Sequence, residues 1–120
     1  GTRNRRLESE ELAAWLGDSE SPLIVLGDFN MPADSTIFRD NWSRYANAFS
    51  TAGFGFGYTK LTPLGRVRYG LRIDHILTDS AVQPRRAWIG PDVGSDHLPL
   101  LAELVLVDSA AEATYNEGRN

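Results

Sequence analysis

The chain has 120 residues, of which 42% are hydrophobic, with 12 Lys and Arg against 16 Asp and Glu and no cysteine. This length suits one small domain with a single core, and the lack of cysteine excludes disulfides, thiol catalysis and cysteine-based metal sites. The formal charge of −4 argues against general coating of nucleic acid by a basic surface. No segment has the run of about 20 apolar residues that a membrane helix requires.

The first half of the chain predicts a helix, a strand and two weaker helices. The helix covers residues 8–16, which are acidic at the start and are followed by glycine, as expected for a short amphipathic helix. The apolar run at 23–26 does not alternate with polar residues, so it predicts a strand covered on both faces. Further helices are predicted over 35–42 and 44–52.

The second half predicts mainly strands. They are expected from Tyr58, and over 72–78, 83–89 and 100–107. Residues 62–70 are interpreted as an arginine-bearing loop. The small, polar residues 108–120 predict a flexible tail after a domain at 1–107. The order of elements predicts an α/β or α+β unit with one mixed sheet and flanking helices.

A first polar cluster, Gly27-Asp28-Phe29-Asn30, follows the apolar strand. If strand geometry continues, Asp28 and Asn30 share one face and Phe29 points to the other. A carboxylate beside an amide suits a site that holds a water and a phosphate oxygen. Asp and Asn also begin turns after strands, and from this segment alone the turn is the favoured interpretation.

A second cluster lies in the strand Arg72-Ile73-Asp74-His75-Ile76-Leu77. Alternation places Asp74 and His75 on opposite faces. Because an unpaired carboxylate among aliphatic residues is costly, Asp74 should have a partner, and a histidine is a natural one. His75 is interpreted as a packing or surface residue.

The third cluster is Gly94-Ser95-Asp96-His97. An irregular loop allows adjacent Asp and His side chains to face one site, where the carboxylate could bind a hard cation and the imidazole an anionic substrate. The alternative is a Gly-Ser-Asp turn with an exposed histidine.

Three motifs occur in a fixed order along the chain: Gly-Asp-Phe-Asn, then Arg-Ile-Asp-His-Ile-Leu, then Ser-Asp-His-x-Pro followed by Leu-Leu-Ala-Glu-Leu. Together they resemble the endonuclease/exonuclease/phosphatase superfamily of DNase I-like, metal-dependent phosphoesterases. The resemblance covers residues 23–106. The family fold is a four-layer αββα sandwich. Its upstream motifs, a strand bearing Asn and a Gln-Glu pair whose glutamate binds metal, are missing from the 26 residues before Gly27. The chain therefore resembles the C-terminal half of the domain.

The resemblance implies a role for each matching residue. Asp28 would position or deprotonate the attacking water, and Asn30 would contact the scissile phosphate. Asp96 would bind the metal, which is expected to be Mg²⁺ or Mn²⁺ and to bind weakly to this half alone. His97 would contact the phosphate and stabilise its developing charge, and Asp74 would hold His97.

The function implied is that of the C-terminal half of a phosphoesterase that hydrolyses phosphodiesters or phosphomonoesters by in-line attack of water, and that is inactive in isolation. The alternative is a non-catalytic interaction or phosphate-binding module with the same fold. The expected partners are a phosphate ester (nucleic acid, lipid phosphate or small molecule), the missing N-terminal half, and a second copy docked on an exposed sheet face. The segment 62–77 looks like bacterial hydrolases of the family, some of them tethered to membranes. Its Arg66, Arg68 and Arg72 could attract phosphate or be ordinary surface residues.

Overall fold

The structure, a computed structural model, describes residues 1–107. The predicted tail at 108–120 lies outside these residues. The described elements, in chain order, are α1 (Thr2–Gly17), β1 (Ile24–Asp28), α2 (Thr36–Trp42), β2 (Ala46–Asn47), α3 (Ala48–Ala52), β3 (Lys60–Leu64), β4 (Val67–Leu71), β5 (Asp74–Thr78), β6 (Val82–Ile89) and β7 (Leu100–Leu106).

The strands form three small antiparallel sheets within the described residues. One sheet has the order β1-β5-β2, and the other two are the hairpins β3–β4 and β6–β7. The expectation of one mixed sheet is wrong for this part of the chain, because each pair is antiparallel. The short turn at residues 65–66 requires β3 and β4 to be antiparallel, whereas parallel strands need a long crossover. Of the two fold classes expected, helices with antiparallel sheets correspond to α+β.

Strand β1 is covered on one face rather than two. Val25 packs against the buried cluster beneath the helices, but Ile24 is 44% and Leu26 is 68% exposed. Within residues 1–107 this second face of β1 is only partly covered. An apolar run therefore predicted the strand correctly but not the exposure of its outer face.

The buried side chains form two clusters on opposite faces of β5, whereas the chain length predicts a single core. Leu77 belongs to the first cluster and the neighbouring Ile76 packs against the second, since successive strand residues point to opposite faces. The first cluster consists of Met31, Ile37, Phe38, Trp42, Tyr45 and Leu77, and the second of Ala48, Phe49 and Ala87.

Helix α1 begins at Thr2 rather than at residue 8. Ala13 and Leu16 pack against the first cluster, whereas Leu12 is 46% and Trp15 is 71% exposed. Only part of the predicted apolar stripe is therefore buried. No helix within residues 1–107 is long and apolar enough to cross a membrane.

Two further expectations need correction. The helix predicted over 44–52 is instead a short strand, β2, followed by α3. The Asn47 side chain accepts a hydrogen bond from the Ser50 backbone N–H and caps α3, so this helix begins only at Ala48. The loop predicted over 62–70 is the hairpin β3–β4. Gly65 adopts a φ of 63° at its turn, a left-handed conformation that favours glycine.

Candidate functional site

The register of β1 and β5 brings two carboxylates together. Asp28 lies directly opposite Asp74, so the two side chains share a face of the sheet. Two like charges in this position repel each other. The imidazole of His97 lies between them, with Nδ1 2.6 Å from Asp74 Oδ2 and Nε2 3.7 Å from Asp28 Oδ2. The histidine thus links the second and third sequence clusters and lies beside the first.

Thr59 holds the segments that carry Asp74 and His97. Its hydroxyl, fully buried, accepts hydrogen bonds from the backbone N–H groups of Ile73 (3.3 Å) and Asp74 (3.2 Å). Its carbonyl accepts a hydrogen bond from the Leu98 N–H at 2.7 Å. Sequence analysis did not single out Thr59, because a lone threonine carries no motif and both contacts come from distant parts of the chain.

The Gly-Asp-Phe-Asn segment forms a turn and also contributes to the site. Asp28 Oδ1 accepts a hydrogen bond from the Asn30 backbone N–H at 2.8 Å, which is the turn favoured from this segment alone. Asn30 has a φ of 54°, so strand alternation ends at Asp28 and does not determine the direction of Asn30. Phe29 packs edge-on against Trp42 at 5.1 Å between ring centroids, on the side of the sheet away from His97.

Gly27 has a φ of 151°, a conformation that side-chain-bearing residues rarely adopt. No atom lies within 4 Å of the position that a Cβ would take there. Backbone conformation, rather than lack of space, therefore favours glycine immediately before Asp28.

His75 is a packing residue. It is 1% exposed, and its ring lies against Phe38 with 4.5 Å between centroids. Its Nε2–H donates to the Met31 carbonyl at 2.9 Å, and its Nδ1 lies 3.1 Å from Asn47 Nδ2. Burial lowers the pKa of His75 from its ordinary value, which keeps the imidazole neutral.

Asp96 does not join the two carboxylates around His97. Its Oδ2 accepts a hydrogen bond from Lys60 Nζ at 2.9 Å, and this contact lowers the pKa of the exposed Asp96 carboxyl. Lys60 also pairs with His97 in an isolated antiparallel bridge. The described contacts of Asp96 therefore hold the loop beside β3, and its role as a metal ligand stays a prediction.

The group formed by Asp28, Asp74 and His97 could hold a metal ion, since each offers one ligand atom and these atoms lie within 4.8 Å of one another. Mg²⁺, however, prefers oxygen ligands in an octahedral arrangement. Asp74 Oδ2 already binds the imidazole, and Asp96 binds Lys60. Asp28 is the remaining carboxylate at this position, so these residues do not fit a complete Mg²⁺ or Mn²⁺ site.

A histidine held by one carboxylate and facing another is an arrangement suited to acid–base chemistry and anion binding. The family model described as the endonuclease/exonuclease/phosphatase family matches residues 2–97. The chain belongs to the endonuclease/exonuclease/phosphatase family.

Two solved structures are similar to the chain. One is an endonuclease/exonuclease/phosphatase family protein from Bacteroides thetaiotaomicron, with 20% identity and a TM-score of 0.61, covering 91% of this chain and 47% of that one. The other is a mannosyl-6-phosphatase from Bacteroides thetaiotaomicron VPI-5482, with 19% identity and a TM-score of 0.58, covering 88% of this chain and 47% of that one. The comparison with curated proteins found no match. The chain thus shares the fold of these structures and spans about half of their length.

Proposed function

We propose that the chain is the C-terminal half of a phosphoesterase domain that hydrolyses a phosphodiester or phosphomonoester bond by attack of water. The observation that carries the proposal is the placement of His97 between Asp74 and Asp28, at 2.6 and 3.7 Å. Family membership supports hydrolysis of phosphoesters, as does the similarity to a mannosyl-6-phosphatase.

In this proposal the two nitrogens of His97 have different tasks. Nδ1–H donates to Asp74, which fixes the ring orientation. Nε2 faces the open side of the group, where a protonated imidazole donates to a phosphate oxygen and stabilises the charge that develops on it. Asn30 is proposed as a second contact to the phosphate through its exposed amide.

Asp28 is the proposed base. Water bonds to phosphorus as the phosphorus–oxygen bond to the leaving alkoxide breaks, the water proton passes to the Asp28 carboxylate, and the alkoxide takes a proton from solvent to become the alcohol. Asp28 Oδ1 is held by the Asn30 N–H, whereas Oδ2 points toward His97. One carboxylate oxygen is therefore oriented by the turn and the other is directed into the site.

Mg²⁺ or Mn²⁺ is the proposed cofactor of the whole domain. Because the described residues do not fit a complete site, the chain alone is expected to bind either ion weakly. Asp96 could contribute a ligand only after its carboxylate leaves Lys60. Further ligands would come from the other half of the domain.

The partly covered face of β1 is the proposed contact for that other half. Leu26 and Ile24 on this face are exposed, and they alternate with the inward-facing Val25. The groove beside Leu26, of about 320 Å³, also includes Ile76, Leu98 and Leu100. A contiguous apolar face of this kind is typical of an interface, and a second copy of the chain would compete for it.

The activity test compares the complete domain, this chain and a His97→Ala variant of the complete domain. We expect hydrolysis of bis(p-nitrophenyl) phosphate or p-nitrophenyl phosphate with Mg²⁺ by the complete domain only, and a loss of about 10²-fold or more in kcat/KM for His97→Ala. Asp40→Asn, a change at an exposed residue of α2 paired with Arg6, is the control and should keep full activity. Phosphate binding without His97-dependent hydrolysis would instead favour a non-catalytic module.

The docking test uses Leu26→Lys in this chain. A lysine there should weaken both self-association and binding of the separately expressed N-terminal half, because it places a charge in an apolar contact. Leu64→Lys is the matched control, since Leu64 is equally exposed at 69% but lies on the hairpin β3–β4. Equal effects of the two changes in analytical ultracentrifugation would contradict the proposed contact.

A further inference from the structure

A pocket that includes His97 lies between the hairpin β3–β4 and the loop at 90–99. It encloses about 220 Å³, and its lining includes Leu61, Pro63, Arg68, Asp92, Asp96 and His97. We call it the hairpin pocket. Because His97 is shared between this pocket and the group at Asp28 and Asp74, a phosphate held by His97 would direct its ester group into the pocket.

The two walls of the hairpin pocket are joined to each other. The Leu98 N–H donates to the Thr59 carbonyl at 2.7 Å, and Lys60, the first residue of the hairpin, bridges to His97. The ion pair between Lys60 and Asp96 adds a side-chain link. The pocket is therefore held by the same contacts that place His97.

Of the three arginines considered from the sequence, Arg68 is the one that lines this pocket. Arg72 instead donates to Ser50 Oγ at 2.8 Å and lies over the ring of Phe49. Arg66 lies in the turn of the hairpin and is not among the pocket residues. Within residues 1–107, the Arg68 side chain makes no hydrogen bond or ion pair, while its backbone pairs with β3.

The chemistry of the lining indicates what would fit. Arg68 can only donate hydrogen bonds and ionised Asp92 can only accept them. Asp92 Oδ1 accepts from the Gly94 N–H at 2.9 Å, and within residues 1–107 Asp92 forms no ion pair with Arg68, although both residues line the pocket. Hydroxyl groups both donate and accept, so a polyhydroxylated group could satisfy both side chains at once. Leu61, Pro63 and Leu98 offer apolar contact to the C–H face of such a group.

Other ester groups fit less well. A second phosphate would pair with Arg68 but would face the carboxylates of Asp92 and Asp96. A nucleic acid requires an extended positively charged surface, whereas this pocket carries the carboxylates of Asp92 and Asp96 and the chain has a net charge of −4.

We propose that the hairpin pocket binds the alcohol part of a small polyol phosphate, such as a hexose phosphate, and that Arg68 is a specificity-determining residue for it. This inference rests on the proposed function, since it requires the phosphate to be held at His97. The group in the pocket is the leaving alcohol of the hydrolysis.

The test measures ligand binding to the 120-residue chain by ¹⁵N–¹H NMR, with ethyl phosphate, glucose 6-phosphate and propane-1,3-diyl bisphosphate as probes. Ethyl phosphate reports on the phosphate contact alone. Glucose 6-phosphate adds hydroxyls, and the bisphosphate adds a second anion. We expect glucose 6-phosphate to bind about tenfold more tightly than ethyl phosphate, which corresponds to one or two added hydrogen bonds.

The variants are Arg68→Gln and the matched Arg66→Gln on the same hairpin. Arg68→Gln should abolish most of the preference for glucose 6-phosphate and leave ethyl phosphate binding unchanged, whereas Arg66→Gln should leave both unchanged. Equal affinity for glucose 6-phosphate and ethyl phosphate, a preference that survives Arg68→Gln, or tightest binding of the bisphosphate would overturn the inference alone. Failure of ethyl phosphate to shift the His97 resonances would contradict the proposed function, and this inference with it.

Discussion

The imidazole of His97 and the carboxylate of Asp74 are joined by a contact of 2.6 Å between Nδ1 and Oδ2, although 23 residues separate them in the chain. A carboxylate that accepts from Nδ1 selects the tautomer with its proton on that nitrogen. His75 next to Asp74 is held in the opposite way, because its Nε2 faces a carbonyl that can only accept. The molecule thus contains two histidines whose protons are directed to different ring nitrogens.

The first prediction concerns these tautomers. Long-range ¹⁵N–¹H correlation spectra of the neutral forms should show His97 with its proton on Nδ1 and His75 with its proton on Nε2. The assignment for His75 follows from Asn47, whose Oδ1 accepts from the Ser50 N–H, so that its Nδ2 donates to His75 Nδ1. Asp74→Ala should remove the Nδ1 preference of His97.

His75 serves as the internal control for this experiment, since Asp74→Ala leaves its hydrogen bonds to Met31 and Asn47 in place. An unchanged tautomer of His97 in Asp74→Ala would show that Asp74 does not orient the ring.

The second prediction is a pH dependence of stability that originates at His75. Burial lowers the pKa of His75 below its ordinary value of 6.5. Between the lowered pKa and 6.5 the unfolded chain binds a proton that the folded chain does not. The free energy of unfolding should therefore rise with pH through this window, by up to about 1.4 kcal/mol per pH unit, and level off above about pH 7.5.

Urea unfolding between pH 5 and 8 measures this slope. His75→Gln should be less stable than the unchanged chain and should lack the slope, whereas His97→Gln should keep it. A slope of the same size in His75→Gln would assign the pH dependence to other groups.

The third prediction compares two tryptophans. Trp42 is 1% exposed within the first buried cluster, whereas Trp15 on α1 is 71% exposed. Trp42→Ala should lower the free energy of unfolding by about 3–5 kcal/mol, because it removes buried apolar surface and leaves a cavity. Trp15→Ala should change it by no more than about 0.5 kcal/mol.

Both values come from the midpoint and slope of urea unfolding. A large loss for Trp15→Ala in a monomeric sample would contradict its exposed position.

Features that depend on neighbouring residues could be predicted from the sequence. Alternation along β5 separates Asp74 from His75, and the structure has these side chains in different surroundings. The apolar run before Gly27 predicts β1 in the same way. These patterns are local, so a single sequence is sufficient to reveal them.

Features that depend on distant contacts could not be predicted. Nothing in the local sequence indicates that the Thr59 hydroxyl accepts a hydrogen bond from the backbone N–H of Asp74, or that Lys60 binds Asp96. The exposure of Leu26 could not be predicted from the sequence either, because an apolar strand has the same composition whether or not another element covers it. Packing partners, rather than propensity, decide these features.

The last prediction distinguishes the contribution of the Asn30 backbone conformation to stability from the contribution of its side chain to phosphate binding. Asn30 has a φ of 54°, which glycine adopts freely and asparagine tolerates, but which costs an ordinary residue about 1–2 kcal/mol. Asn30→Gly should therefore keep the stability of the chain within about 0.5 kcal/mol, and Asn30→Ala should be less stable by about 1 kcal/mol.

Both changes remove the amide that we propose as a phosphate contact, so both should weaken binding of ethyl phosphate to the same extent. Urea unfolding and NMR titration of the two variants give the comparison. Equal stability of the two variants would contradict a conformational requirement at this position, and unchanged phosphate affinity in Asn30→Gly would exclude the amide from the site.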